Sequence, residues 1–184
     1  CLPHNHLRMA NEHGWEVMLH IPRSERLADP SNIAQIKQIS ATYPNIKLII
    51  AHIGRAYCPR YAVEGLTALR GCTDLLYDFS ANCSQPVMEM LISEVGPQRI
   101  LFGSDLPIVL LRMRRICEGD RYANYVRHTR FIDAQTRSDP ANEETFTFLV
   151  YEQIAAFRRA AENAGLSRSD IANVFCGNAE RLLT

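Results

Sequence analysis

Four short apolar runs punctuate the chain: Trp15-Glu16-Val17-Met18-Leu19, Lys47-Leu48-Ile49-Ile50-Ala51, Leu75-Leu76-Tyr77-Asp78-Phe79 and Arg99-Ile100-Leu101-Phe102. Near-continuous apolar runs of this length are the pattern of strands buried on both faces, as in a parallel sheet. Between them the apolar positions take helical spacing. Ile33, Ile36 and Ile39 predict one helix, stopped by Pro44; Ala62, Leu66 and Leu69 predict a second, closed by Gly71. Val87, Met90, Leu91 and Val95 predict a third, closed by Gly96-Pro97. Leu7 to His13 reads as a helix before the first strand. After the last strand the pattern predicts a long loop, a helix from about Glu143 to Asn163, and short helices near 169–174 and 178–183. Strands alternating with helices mean βαβ units, hence a single α/β domain around a parallel sheet.

Each predicted strand leads into a polar residue: His20, His52, Ser80, and Asp105 after Gly103-Ser104. Successive positions are one βα unit apart. In a parallel sheet all C-terminal strand ends lie on one side, where ligands bind. Two imidazoles and a carboxylate converging there form a donor set suited to a divalent ion, with zinc the first expectation.

Composition narrows the alternatives. The 184 residues are 47% hydrophobic and 22% charged, with 20 basic against 20 acidic residues, so the chain is foldable and its formal net charge is zero. That balance argues against a nucleic-acid binder, and no run is long enough to span a membrane. The six cysteines are widely and irregularly spaced, which predicts reduced thiols and a cytoplasmic location rather than a disulfide framework. Cys58, Cys72 and Cys83 are expected to be buried, and Met9, Met18, Met88, Met90 and Met113 to be core or helix-face residues. Cys1 in place of a methionine reads as a truncation point. Residues 109–142 read as an insertion after the last strand. Arg112, Arg114, Arg115, Arg121, Arg127, Arg130 and Arg137 outnumber the acids there, which suits a lid attracting a carboxylate, a solvated helix-and-loop surface or a subunit contact.

The segments Ala51-His52-Ile53-Gly54-Arg55, Ile100-Leu101-Phe102-Gly103-Ser104-Asp105-Leu106-Pro107 and Gly177-Asn178-Ala179-Glu180-Arg181-Leu182-Leu183 resemble the amidohydrolase-related metal-dependent hydrolases. More narrowly, they resemble the amidohydrolase-2 branch that includes aminocarboxymuconate-semialdehyde decarboxylase. The resemblance implies an eight-stranded (β/α) barrel, of which this chain holds about strands five to eight. It implies metal ligands at His20, His52 and Asp105, catalytic roles for Asp105 and His52, and a substrate-carboxylate contact at Arg55. The family also uses a His-x-His pair at the end of its first strand. His4-Asn5-His6 opens a helix with no apolar strand before it, so it is read as a helix start and not as that pair.

The implied activity is hydrolysis of an amide, lactone or similar ester of a small carboxylate-bearing substrate. A decarboxylase on the same scaffold and a non-catalytic half-barrel pairing with another chain are the alternatives, and a homo-oligomer is allowed. An open, doubly wound nucleotide-binding domain is weakened by the lack of a glycine-rich phosphate loop after any strand.

Overall fold

A computed structural model describes residues 2–126, 134–139 and 141–183. Four parallel strands carry the predicted βα rhythm: β1 (Glu16–Leu19), β2 (Lys47–Ile50), β3 (Leu76–Asp78) and β4 (Ile100–Leu101). Helix α1 (His4–His13) precedes them, and α2 (Pro30–Thr42), α3 (Pro59–Leu69) and α4 (Gln85–Val95) connect them. The local chemistry explains the boundaries. Asp29 caps α2 by accepting from the amides of Ser31 and Asn32 at 2.9 and 3.1 Å. Pro30, Pro59 and Pro86 sit in the first turns of their helices, where a missing N–H costs nothing. Gly14 ends α1 in the left-handed conformation.

Strand order in the sheet is β1-β2-β3-β4 with every pair parallel. A doubly wound sheet reverses order at a switch point, whereas a barrel wall never does. The wall is therefore part of a (β/α) barrel, and the crevice that a nucleotide-binding alternative needs is missing from it. In register, Leu19, Ile50, Tyr77 and Ile100 share one face. That face builds the main core with Ile36, Leu66, Leu69, Met88 and Phe157. Met18, Ile49 and Leu76 share the opposite face.

Burial on both faces fails at β1, where Glu16 and Met18 are exposed, Met18 by 63%. β1 is the sheet's edge and has a neighbouring strand on one side only. Met9 is likewise half exposed, while Met88 and Met113 are buried.

The stretch after β4 departs most from expectation. After a 3₁₀ turn at Ile108–Leu110, its described part is a small sheet: β5 (Met113–Glu118) and β6 (Arg121–Val126) form an antiparallel hairpin, and β7 (Thr136–Ser138) pairs parallel with β6. Gly119, at φ +61°, makes the tight turn. Arg127, Arg130 and Asp133 lie outside the described residues. A small second core of Ala81, Val109, Met113 and Leu149 seats this arm on the wall. Cys58 and Cys117 are bonded, with Cα atoms 5.5 Å apart, which corrects the expectation of reduced thiols. Wide sequence spacing says little about proximity once a hairpin folds back across the wall. Cys72 and Cys83 are half-buried.

The long helix, α5 (Leu149–Asn163), starts six residues later than expected, because Glu143–Thr145 form a separate 3₁₀ turn. Helices α6 (Arg168–Ala172) and α7 (Asn178–Leu183) complete the chain. Asn178, buried to 3%, donates to the carbonyls of Pro97 and Ile100 at 2.7 Å each, tying α7 beneath β4. Among the described residues no helix is long and apolar enough to cross a membrane.

Candidate functional site at the strand ends

His20 follows β1 directly, and His52 follows β2 after Ala51. The two rings meet edge to face with centroids 5.4 Å apart. His52 opens a left-handed turn: His52, Ile53, Gly54 and Arg55 all have φ between +52° and +60°. Non-glycine residues adopt this region at a cost of about 1 kcal/mol or more each, so the surroundings must impose it. Gly54 is required twice over. Its φ is positive, and a Cβ there would lie 2.6 Å from a methyl carbon of the fully buried Leu27.

What imposes the turn is Asp78, at the end of β3 and 3% exposed. Its Oδ2 accepts from the His52 amide at 3.2 Å. Its Oδ1 accepts from the Ser80 amide at 2.8 Å and from the Ser80 hydroxyl. With its proton given to Asp78, the Ser80 hydroxyl faces His52 Nδ1 at 2.7 Å as an acceptor, and the Ser80 carbonyl faces it at 3.2 Å. Both partners are acceptors, so this network assigns the ring proton to Nδ1 and leaves Nε2 with a free lone pair. A ring oriented through one nitrogen so that the other can ligate is the usual arrangement around a metal-binding histidine.

The adjoining loop is clamped as closely. A Cβ on Gly103 would stand 3.1 Å from Asp78 Oδ1 and 3.2 Å from Ser80 Cβ, so any larger residue would press on the Asp78–Ser80 pair. Gln153 of α5 is fully buried. It donates to the Gly103 carbonyl at 2.9 Å and accepts from the Ala81 amide at 2.9 Å, locking the β3 and β4 loops together. Asp105 follows with φ +52° and is half-buried.

His20, though exposed, is held below its ordinary pKa, first by partial desolvation, then by the nearness of His52 and the Arg55 guanidinium, with Asp105 pulling the other way. Arg55 is fastened to the loop after β1 by donating to the Pro22 carbonyl at 3.3 Å. His20, His52, Arg55 and Asp105 thus share one edge. Among the described residues, however, no three His, Cys, Asp or Glu side chains are gathered closely enough to hold a metal ion by themselves. The donor chemistry fits a divalent ion, and the set among the described residues is short of ligands. His4 and His6 lie in the first turn of α1, and His4 Nδ1 is 3.1 Å from the Tyr43 hydroxyl. Asp78 and Gln153 were not among the residues expected to matter.

The amidohydrolase family model matches residues 4–184. No curated protein matches the sequence. Among solved structures, the chain is similar to an amidohydrolase from Burkholderia multivorans with bound zinc, at 15% identity and a TM-score of 0.60 over 97% of this chain and 55% of that one. It is similar to 4-oxalomesaconate hydratase from Rhodopseudomonas palustris, at 17% identity and 0.53 over 97% and 48%. It is also similar to 5-carboxyvanillate decarboxylase from Sphingomonas paucimobilis, at 13% identity and 0.50 over 96% and 51%. The chain spans about half the length of these structures. A match running from the first helix to the last, on a wall with a barrel's strand order, settles the family: the chain belongs to the amidohydrolases.

Proposed function

We propose that the strand-end edge is part of the divalent-metal site of a hydrolase acting on an amide, lactone or similar ester of a small carboxylate-bearing substrate. The observation that carries this is His52, fixed through Nδ1 by the Ser80–Asp78 pair with Nε2 left free, beside the ring of His20. His20, His52 and Asp105 would hold the ion, with zinc the first choice among divalent metals. When bound, it would supply Lewis-acid polarisation of a substrate oxygen. Asp105 would orient a water and take its proton, then return it to the leaving group. His52 would steady charge developing on the substrate carbonyl oxygen. Arg55 would meet the substrate carboxylate.

A decarboxylase is the second reading, favoured by the likeness to the carboxyvanillate enzyme. It would use the same edge to place a proton on carbon as carbon dioxide leaves. The expected cytoplasmic location rests on reduced thiols, and the Cys58–Cys117 bond removes that support.

The experiment is a zinc and manganese titration of the chain by calorimetry, with His20→Ala and His52→Ala beside it, and assays of ester hydrolysis and carbon dioxide release. The expected result is metal binding that weakens at least tenfold in each variant, with little or no turnover by these 184 residues. Metal affinity indifferent to both histidines would sink the site. Full turnover and tight, stoichiometric zinc would overturn the reading that the ligand set is incomplete.

A further inference from the structure

A cavity of about 410 Å³ lies between the loop after β1, the left-handed turn and the arm. Five arginines line it: Arg23, Arg26, Arg55, Arg121 and Arg137. Two have carboxylates already. Arg137 binds Glu118 at 2.9 Å, and Arg23 stands 3.9 Å from Asp29. The one acid among the described lining residues, Glu25, is taken by Arg60 at 3.0 Å, outside the cavity wall. Among the described residues no carboxylate lies within ion-pair distance of Arg26, Arg55 or Arg121.

Arg26 is the most telling of the five. Its Nε and Nη1 are sealed from solvent and have no hydrogen-bond partner among the described residues. Its guanidinium is surrounded by the rings of Tyr122, Tyr61 and Tyr57, at 4.5, 5.6 and 5.7 Å. Ring faces attract the cation but give it no counter-ion and no oxygen lone pair. A positive charge kept in a poorly hydrated wall, with two more guanidiniums across the space that have no carboxylate partner among the described residues, focuses positive potential into the cavity. Burial of such a charge is costly unless something compensates it.

We propose that this cavity binds a small molecule bearing a doubly charged oxyanion group, phosphate-like or dicarboxylate, through Arg55 and Arg121, with the buried charge of Arg26 behind them in the wall. Guanidinium forks match both geometries. The volume is that of a small-molecule site. Arg55 belongs to the same turn as His52, so the cavity and the strand-end edge share a wall. The occupant is then the anionic end of the substrate, remote from the reacting bond. That last step rests on the function proposed above; oxyanion binding itself does not.

The test titrates the full chain with inorganic phosphate and, separately, oxalate, at constant ionic strength balanced with chloride. One saturable site is expected for at least one of them, weakened tenfold or more by Arg121→Ala and by Arg26→Met. Phosphate alone or oxalate alone would identify the geometry that the forks prefer. Should Arg26→Met fail to fold, Arg121→Ala on the exposed hairpin carries the test. No saturation by either anion beyond chloride, or saturation indifferent to Arg121→Ala, overturns the proposal. Metal titration of Arg121→Ala separates the two readings. Lost oxyanion binding with unchanged metal affinity supports the cavity whatever the histidine variants show. Metal affinity indifferent to His20 and His52 would then remove the catalytic reading alone.

Discussion

The strand-end turn and the arginine cradle that the arm closes handle buried polarity in opposite ways. At the turn, Asp78 spends both oxygens on the His52 amide, the Ser80 amide and the Ser80 hydroxyl, and the hydroxyl in turn meets the imidazole. Each donor has an acceptor, and the ring is left with one orientation. In the cradle, Arg26 has three tyrosine rings and, among the described residues, no acceptor for two of its nitrogens. The first arrangement suits a group whose position must not change during chemistry. The second stores a potential that an incoming anion can use. The turn positions, and the cradle that the arm closes attracts.

If that division is right, the arm should depend on its tether more than the wall does. Cys58 and Cys117 lie 59 residues apart in sequence, and cross-linking a loop of that length stabilises by about 4 kcal/mol on the chain-entropy account. Cys117→Ser is expected to lower unfolding stability by about that much in denaturant titration. A loss below about 1 kcal/mol would mean that Arg115, stacked on Tyr57 at 4.2 Å, and the second core hold the arm without the bond.

On the wall, Asp78→Ala removes the acceptor for three donors and is expected to cost about 3 kcal/mol. It should also release His52 from the Nδ1–H form, which nitrogen NMR of the imidazole reads directly. An unchanged tautomer would show that the Ser80 carbonyl, not the Asp78–Ser80 pair, sets the ring. Gln153→Leu keeps the volume of α5's contact but strands the Ala81 amide and the Gly103 carbonyl, for an expected loss of about 2 kcal/mol. A neutral effect on the unfolding midpoint would mean that the β3 and β4 loops hold each other without the clamp.

The wall was legible in the sequence because its code is simple. Leu48, Ile50, Tyr77 and Ile100 are apolar where they meet helices, and each run stops at a polar residue one βα unit after the last. The arm was not, because its hairpin inverts the usual rule. Met113, Arg115 and Cys117 face inward while Ile116 is exposed, so period-two alternation is present in burial but scrambled in polarity. An arginine that buries itself by stacking on a tyrosine looks, in sequence, like a solvated charge. Asp78 was hidden for a related reason. It sits inside an apolar run, where one carboxylate reads as a strand residue, and only the backbone amides that it meets give it a role. Gln153 lies on a helix far along the chain, and no local pattern links it to Ala81 or Gly103.

The smallest expected effect probes the seam between the two regions. Cys83 borders the second core, and burial pushes its thiol from an ordinary 9.0 up to about 12. At pH 8 the folded protein should therefore carry on the order of a thousandfold less Cys83 thiolate than the unfolded chain. Because the folded pKa is raised, the linked stability is complete below pH 9 and declines as pH rises from 9 towards 12, where only the unfolded thiol ionises. Alkylation followed by mass spectrometry should label exposed Cys176 well before Cys83 in the native chain. In Cys117→Ser, Cys83 labelling should quicken while labelling of Cys72, on the far side of the wall's core, stays as it was. Equal acceleration at both thiols would mean that the variant loosens the whole domain, and that arm and wall do not open as separate units.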